Sequence, residues 1–448
     1  MRLHNSKKDI LNGNIVEQII LFSIPSILAY LLQQVNNVAD SLILGKMVGA
    51  EALAAVGGSA KSVNDTILNF ISGMAAGVTV VVAQHYGRGQ REKVKDAVKT
   101  GMFICFVFGG AFSVLCSLLA KPVVVLMKTP PEVIQGTLTY LYFYCASYIP
   151  YMVYQVGLGV LRATGDTRTP FILVGIQAIS KIIFDVLLVG IFKLEILGAG
   201  IANLLSNIVV GVVVLYIFAK TDNSYEFNIK EFGFEKDALQ HILKFGIPSG
   251  IQASVFAMSC AVAQAKVNGY GTNAVAAYSA YNTIDNIYWS VTNAIGTALI
   301  TLFGQNHGAK KHDRVKKIMK EAIIIELIVA IAIGALVYIF SRQLLGIFLD
   351  SELVLSIGVS MMHTAVCFYW PYAFVETLSA LFKSTGHAIK SMIVVIVGCF
   401  VFRIGYLFIY PFASVNDVIR VFPLSWALTA ILFIVIYFLK VRNLTQDD

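Results

Sequence analysis

The stretch Phe22-Ser23-Ile24-Pro25-Ser26 recurs as Phe245-Gly246-Ile247-Pro248-Ser249, an offset of 223 residues. A second stretch, Gln84-His85-Tyr86-Gly87, matches Gln305-Asn306-His307-Gly308 at an offset of 221 residues. The chain therefore carries one pattern twice, over almost its whole length. Two similar halves in an apolar chain are typical of a transporter built from repeats, whose substrate site lies between or within the halves.

The composition excludes a soluble globular domain, because hydrophobic residues make up 57% of the chain and charged residues only 13%. Apolar stretches of about 18 or more residues recur, and each can cross the hydrocarbon core as a helix. We predict an all-α polytopic membrane protein with twelve transmembrane helices in two six-helix lobes related by internal duplication. The predicted spans are residues 16–44, 51–82, 93–120, 132–161, 169–192, 196–219, 238–267, 273–303, 315–341, 353–382, 389–412 and 416–440.

The predicted domain organisation is an N-terminal lobe at residues 1–220, a polar cytoplasmic linker at 221–236 and a C-terminal lobe at 237–448. Basic residues cluster in alternate loops, on the side that holds both termini. The positive-inside rule then predicts a multi-pass protein of the cell membrane with both termini in the cytoplasm. The net charge of +8 is thus a signal of topology and not of nucleic-acid binding.

Two loops match across the repeats, His85–Asp96 and Asn306–Lys317, and both contain glycine and several basic residues. They are either ordinary topogenic loops, or a gate or a contact with anionic lipid. Prolines also sit at matching places inside the spans, where each removes a helix hydrogen bond. Their kinks mark either bending helices or a static cavity wall: Pro25, Pro150, Pro248 and Pro371.

The spans of the first half contain several charged side chains. Because one charge at mid-bilayer costs about 2.5–3.5 kcal/mol, each of them is expected to have a functional or structural role. Asp40 lies in span 1, whereas Lys61 and Asp65 share one helix face, as do Lys181 and Asp185. We predict a hydrated polar chamber in which Asp40 and Asp185 exchange a proton or bind a cation. The alternative is a set of static salt bridges that hold helices together.

Polar and aromatic residues extend this prediction. Three amides of span 1 are assigned to the same chamber, because amides facing lipid are costly: Gln34, Asn36 and Asn37. Phenol rings and charges beside a cavity favour flat or cationic organic molecules, although an interfacial aromatic belt is the alternative. The candidate substrate cavity comprises Tyr151, Tyr154, Gln155, Gln252, Asp285, Glu376 and Arg403. We expect Arg403 to pair with Glu376 or Asp285, or to snorkel at the interface.

Motifs of enzymes are absent from the sequence. It has no Walker loop, HExxH, GxSxG or dinucleotide fingerprint, so hydrolysis of ATP bound to this chain is excluded as the energy source. All six cysteines fall inside predicted spans and form no CxxC pair. We therefore expect no cofactor and no metal.

The chain resembles the multidrug and toxic compound extrusion (MATE) transporters, especially the DinF-like bacterial branch. The resemblance rests on Val38-Ala39-Asp40-Ser41, on the run Leu161–Pro170 and on Gly304-Gln305-Asn306-His307-Gly308, in order and with the duplication. It implies two six-helix lobes around a central cavity. We expect the chain to be a monomer in the bilayer. It also implies export of amphipathic, often cationic organic compounds in exchange for H⁺ or Na⁺.

The resemblance also assigns residues. Acids matching Asp40 and Asp185 belong to a cation site of the first lobe, together with the positions of Lys181 and Asn203, which are usually Asn and Thr. Lys181 is a departure, because its ammonium can take the place of a bound cation and so favours H⁺ over Na⁺. The same lysine, with Lys61, supports an alternative function, a flippase for a lipid-linked or anionic precursor in the same superfamily.

Overall fold

The computed structural model describes residues 10–49, 52, 55–127, 129–221, 225–227, 232–410 and 412–441. All regular secondary structure in these ranges is helical. The first half contains α1 (Ile15–Met47), α2 (Lys61–Gly87), α3 (Arg91–Leu126), α4 (Pro131–Ala146), α5 (Tyr148–Ala163), α6 (Arg168–Asp185) and α7 (Glu195–Ala219). A π-helical turn, Val56–Ala60, leads into α2, and another, Val186–Ile191, continues α6.

The second half follows the same plan. It contains α8 (Lys236–Asn268), α9 (Thr272–Gly308), α10 (His312–Ile339), α11 (Ser341–Gly346), α12 (Glu352–Val366), α13 (Trp370–Ser384), α14 (Ala388–Val395), α15 (Phe402–Ile409), α16 (Val415–Ile419) and α17 (Val421–Ile436). The π-helical turn Ile396–Val401 joins α14 to α15, and Tyr437–Val441 extends α17.

Ten helical segments in the described part of the chain are long and apolar enough to cross a membrane, and the bent pair α12–α13 makes an eleventh. The remaining predicted span, 132–161, corresponds to α4 and α5, which are 16 residues each and separated at Ser147. The predicted all-α fold with twelve transmembrane helices is therefore confirmed once both broken spans are counted.

The two broken spans have a common cause. Pro150 lies in the first turn of α5 and Pro371 in the first turn of α13, three residues or fewer after each break. Proline has no N–H and its ring clashes with the carbonyl four residues earlier, so a helix restarts more easily than it continues. Helices α1 and α8 instead run continuously through Pro25 and Pro248, since loss of one hydrogen bond is tolerated within a long helix.

The described residues divide into two compact units. The first lies within Leu28–Gly250, and the second within Lys8–Ile27 and Ile251–Asp448. These units differ from the predicted lobes in one respect. Helices α1 and α8 both change unit two residues after their prolines, so each begins in one unit and ends in the other. The predicted lobe and linker boundaries themselves stay a prediction.

Helix packing repeats between the units. In the first unit α5 packs against α2, α3 and α7, and in the second unit α13 packs against α9, α10 and α17. In the most apolar window of each span, 67% of the residues are buried in α9 and 61% in the span that ends with α2. The corresponding shares are only 22% in α3 and 28% in α10. Helices α2 and α9 are therefore much more buried than α3 and α10.

Glycines bring two backbones into contact in the first unit. Gly73 and Gly77 of α2 face Gly250 and Gly246 of α8. A Cβ on Gly77 would lie 2.5 Å from the Cα of Gly246, and a Cβ on Gly73 would collide with the backbone of Gly250. Small residues four apart allow such close approach in a membrane, where dispersion contacts replace the hydrophobic drive for association.

The loop linking α5 to α6 explains the run Leu161–Pro170. Gly165 adopts φ +93°, a left-handed conformation that glycine tolerates best. The Asp166 carboxylate then accepts the backbone N–H groups of Arg168 and Thr169, at 3.0 Å each, and so caps the start of α6. Gly386 repeats the left-handed turn in the second half, with φ +89°. This run is therefore a helix-ending and helix-starting signal.

Candidate functional site

Lys181 bridges two carboxylates in the first unit. Its Nζ donates to Asp40 Oδ1 at 2.6 Å and to Asp185 Oδ2 at 2.8 Å. Asp40 belongs to α1 and the other two residues to α6, so this triad ties two helices together. The side chains of Lys181 and Asp185 are 7% and 2% exposed, whereas that of Asp40 is 19% exposed. Asp40 is therefore the acid that water reaches more readily.

The triad is one positive charge short of neutrality. Two carboxylates share a single ammonium, and Asp185 Oδ1 is buried without a hydrogen-bond partner among the described residues. An uncompensated buried charge is costly, so the triad is suited to take up one cation. The ammonium already occupies the position between the two acids, at hydrogen-bond distance from both. A proton can still add to either carboxylate without displacing it.

The rest of the predicted polar chamber forms separate groups. Lys61 and Asp65 make an ion pair of 2.6 Å on α2, with side chains 62% and 47% exposed. Within the described ranges no ion pair joins this pair to the triad. On α1, Asn36 is buried, and Asn37 is exposed and donates to Gln34 at 3.4 Å. The common chamber stays a prediction, whereas the contact of Asp40, Lys181 and Asp185 is observed.

Asn203, which the resemblance assigns to the cation site, bonds elsewhere. Its Nδ2 donates to Ser147 Oγ at 3.2 Å, and its carbonyl accepts from Asn207 Nδ2 at 2.9 Å. The side chain thus ties α7 to the break between α4 and α5. Neither Ser147 nor Asn207 was anticipated from sequence, although Pro150, three residues after Ser147, was a signal that polar partners are needed there.

Three predicted cavity residues of the first unit cluster on α5. Gln155 Nε2 donates to the Tyr151 hydroxyl at 2.6 Å and to Ser72 Oγ at 3.4 Å, which links α5 to α2. Tyr154 is 2% exposed, and its hydroxyl has no hydrogen-bond partner in the described part of the chain. These side chains are close together as predicted, and their role in binding substrate stays a prediction.

Asp285 lies within an aromatic cluster of the second unit. Its carboxylate accepts hydrogen bonds from Trp289 Nε1, at 2.5 Å, and from the Tyr369 hydroxyl. The Tyr369 ring stacks on Tyr288 with centroids 3.9 Å apart, and Trp289 meets Tyr372 edge-on at 4.7 Å. A carboxylate surrounded by electron-rich rings has the chemistry that recognises organic cations.

The predicted pairing of Arg403 with an acid is wrong. The guanidinium is fully buried, donates to Ser425 Oγ at 2.8 Å and Ser259 Oγ at 2.9 Å, and lies between the rings of Phe256 and Phe422. Full burial also excludes snorkelling at the interface. The reason is that Arg403 lies on the face of α15 that meets Ser259 of α8 and Ser425 of α17.

Glu376, the other acid predicted to pair with Arg403, lies against α9. It approaches Gly296 so closely that a Cβ there would collide with the carboxylate. Gly296 therefore makes room for the acid, which is half-buried. Glu326 of α10 is a further acid, outside the predicted site residues, and is fully buried with Thr292 Oγ1 3.5 Å from its Oε2. The signal was a lone acid within an apolar run.

Gln252 links three helices of the second unit. Its Nε2 donates to Ser379 Oγ at 3.0 Å, and its Oε1 accepts from Ser391 Oγ at 3.0 Å. The two serine hydroxyls are also 3.1 Å apart, which closes a triangle between α8, α13 and α14. Both ends of the amide are thus engaged, and the role of Gln252 in a substrate cavity stays a prediction.

Comparison with known proteins gives consistent matches along the chain. The model of the MatE family matches residues 25–187 and 248–409, which cover both repeats. The probable multidrug resistance protein YoeA of Bacillus subtilis strain 168 is 26% identical over 425 residues, with 92% of this chain and 91% of that protein covered. An FAD transporter of Shewanella oneidensis is 25% identical over 399 residues, with 86% of each covered.

Solved structures match the fold. An MOP superfamily transporter from Pyrococcus furiosus, described as having a binding pocket of reverse polarity, superposes with a TM-score of 0.91 at 21% identity, with 99% of this chain and 100% of that chain covered. An outward-facing multidrug resistance transporter of the MATE family superposes with a TM-score of 0.90, at the same identity and coverage. At this identity the superpositions establish the fold alone.

Proposed function

We propose that this chain, which belongs to the MatE family, exports amphipathic, often cationic organic compounds in exchange for H⁺. Members of this family are secondary transporters and not enzymes, so the chain is a multi-pass membrane transporter. The coupling ion and the class of substrate are our proposals. Names of relatives that include multidrug resistance support export of diverse organic compounds.

The observation that carries H⁺ coupling is the position of Lys181 between Asp40 and Asp185. Protonation of Asp40, the more exposed acid, removes its charge and weakens the contact that ties α1 to α6. Lys181 then remains paired with Asp185 on its own helix, and α1 is released. A second monovalent cation would face the ammonium at about 4 Å, a repulsion of about 4 kcal/mol at an effective dielectric constant of 20. Protonation avoids this repulsion.

We therefore expect dye efflux from proteoliposomes of the full chain to follow an imposed pH gradient and to ignore an imposed Na⁺ gradient. A protonophore should abolish it, and Asp40→Asn should reduce efflux to the rate of empty vesicles, because that variant cannot take up a proton at this position. The measurement is the initial rate of dye transport with the two gradients varied separately. Transport that ignores both gradients, or follows Na⁺ alone, contradicts H⁺ coupling.

The aromatic cluster around Asp285 supports organic cations as substrates. We expect Asp285→Asn to raise the KM for a cationic substrate about tenfold or more, because a buried counter-charge is lost. The amide oxygen can still accept from Trp289 Nε1, and the Tyr369 hydroxyl can rotate to accept from the amide NH2, so packing should persist. Transport of a neutral dye is the internal control, and Glu352→Gln, an exposed acid on α12, is the control variant. Equal losses for cationic and neutral dyes would assign Asp285 a purely structural role.

A flippase for a lipid-linked or anionic precursor remains the alternative. The two lysines that suggested it are both paired with carboxylates, Lys61 with Asp65 and Lys181 with two acids. One relative is nevertheless an FAD transporter, so FAD and a fluorescent anionic lipid belong in the substrate panel. We also propose a monomer in the plasma membrane with both termini cytoplasmic, supported by the basic loops and by the two repeats within one chain.

A further inference from the structure

A basic cavity of about 600 Å³ lies in the second unit, where α9 ends and α10 begins. Asp313 and the residues Leu11 and Asn12 form part of its wall. None of its lysines forms an ion pair within the part of the chain that the structure describes. We propose that this cavity binds the phosphate headgroup of an anionic phospholipid. Its basic side chains are Lys310, Lys311, His312, Arg314, Lys316 and Lys317.

The segment before α1 holds two of these cations in place. Lys311 Nζ donates to the Leu11 carbonyl at 3.0 Å and to Asn12 Oδ1 at 2.6 Å, and Arg314 Nη2 donates to the Gly13 carbonyl at 2.5 Å. The acceptors of Lys311 are neutral, so they orient its ammonium without cancelling its charge. Cations that are already ordered lose less entropy when an anion binds.

Lys310 supplies an independent indication. It adopts φ +58°, whereas the matching position of the first repeat is Gly89 with φ +74°. Left-handed backbone favours glycine and is strained for a side chain with a Cβ. The geometry of the turn therefore does not explain why residue 310 is a lysine. The position of Lys310 explains it, because this exposed side chain lines the basic cavity.

The position and surface of α10 favour a lipid over a soluble phosphate. Helices α9 and α10 are both candidate membrane spans, so the cavity between their ends lies at the level of lipid headgroups. From Lys317 an exposed face runs along α10 through Lys320 to Ile324, Ile328 and Ile331, at helical spacing of three and four residues. Acyl chains can lie on the isoleucines while the phosphate enters the cavity.

The test is a titration of the detergent-solubilised full chain with phosphatidylglycerol or phosphatidylcholine, followed by native mass spectrometry. We expect tighter binding of phosphatidylglycerol, and about fivefold weaker binding in Lys310→Gly and in Lys317→Gln, since each charge near an anionic surface contributes roughly that factor. Lys310→Gly also relieves the strained backbone, so its melting temperature should hold or rise. Lys93→Gln, in the first turn of α3 in the first repeat, is the control and should bind as the wild type does.

Three results would overturn the proposal. One is equal affinity for the two lipids. Another is unchanged phosphatidylglycerol binding in both Lys310→Gly and Lys317→Gln. The third is displacement of the lipid by inorganic phosphate at equal concentration, which would assign the cavity to a soluble anion. None of these measurements depends on transport, so the test is independent of the proposed export function.

Discussion

Lys181→Met is expected to destabilise the protein by about 3–5 kcal/mol, because it leaves the buried carboxylates of Asp40 and Asp185 without their counter-ion. The measurement is the melting temperature of the purified protein in detergent at neutral pH. Lys61→Met is the matched control, since it also removes a lysine paired four residues along a helix. That pair is exposed, so its loss should cost about 1 kcal/mol or less.

The same variant tests the argument about the coupling ion. Without the ammonium, the space between the two acids is open to a monovalent cation, and Na⁺ should raise the melting temperature of Lys181→Met by mass action. Wild-type protein should show no such response, because Lys181 holds that position. Two results would contradict the role proposed for the triad. One is an equal melting temperature of Lys181→Met and Lys61→Met. The other is a rise of the wild-type melting temperature with Na⁺ as large as that of Lys181→Met.

Gly73→Ala is expected to cost about 1–3 kcal/mol and to reduce the yield of folded transporter, because one added methyl collides with the backbone of Gly250. Neither backbone can give way without separating α2 from α8. The measurement is thermal stability together with the monodisperse fraction in size-exclusion chromatography. Gly110→Ala is the control, since its Cβ would lie 3.9 Å from Ile149 Cδ1 and alanine favours a helix over glycine. Equal stability of the two variants would contradict backbone contact at Gly73.

Much of the fold follows from the sequence, because a membrane allows few solutions. Apolar length sets the spans, and Pro150 and Pro371 mark the two breaks where helices end and restart. The repeat offset also predicts which helices have equivalent packing. What the repeat cannot predict is that α1 and α8 change unit partway along, since this depends on contacts more than two hundred residues apart in the chain.

The site divides along a similar line. The spacing of Lys181 and Asp185 places both on one face of α6, so their contact was predictable, and Asp40 joined them as the one nearby acid without a basic residue at helical spacing. The partners of Arg403 and Gln252 could not be predicted from the sequence, because each residue step turns a helix by about 100°. A polar residue inside a span needs hydrogen-bond partners, but the sequence does not show which neighbouring helix supplies them. Arg403 and Gln252 both bond to serines of neighbouring helices.

The exchange of helix ends has a consequence for synthesis on the ribosome. The first half of α1 carries Ile19 and Phe22, which belong to the same apolar cluster as Leu299 and Phe303. At about 5–20 residues per second, those partners emerge roughly tens of seconds after α1 has entered the bilayer. Until then, lipid alone must solvate this half-helix. The first half of α1 is thus made first but is among the last segments to reach its native neighbours.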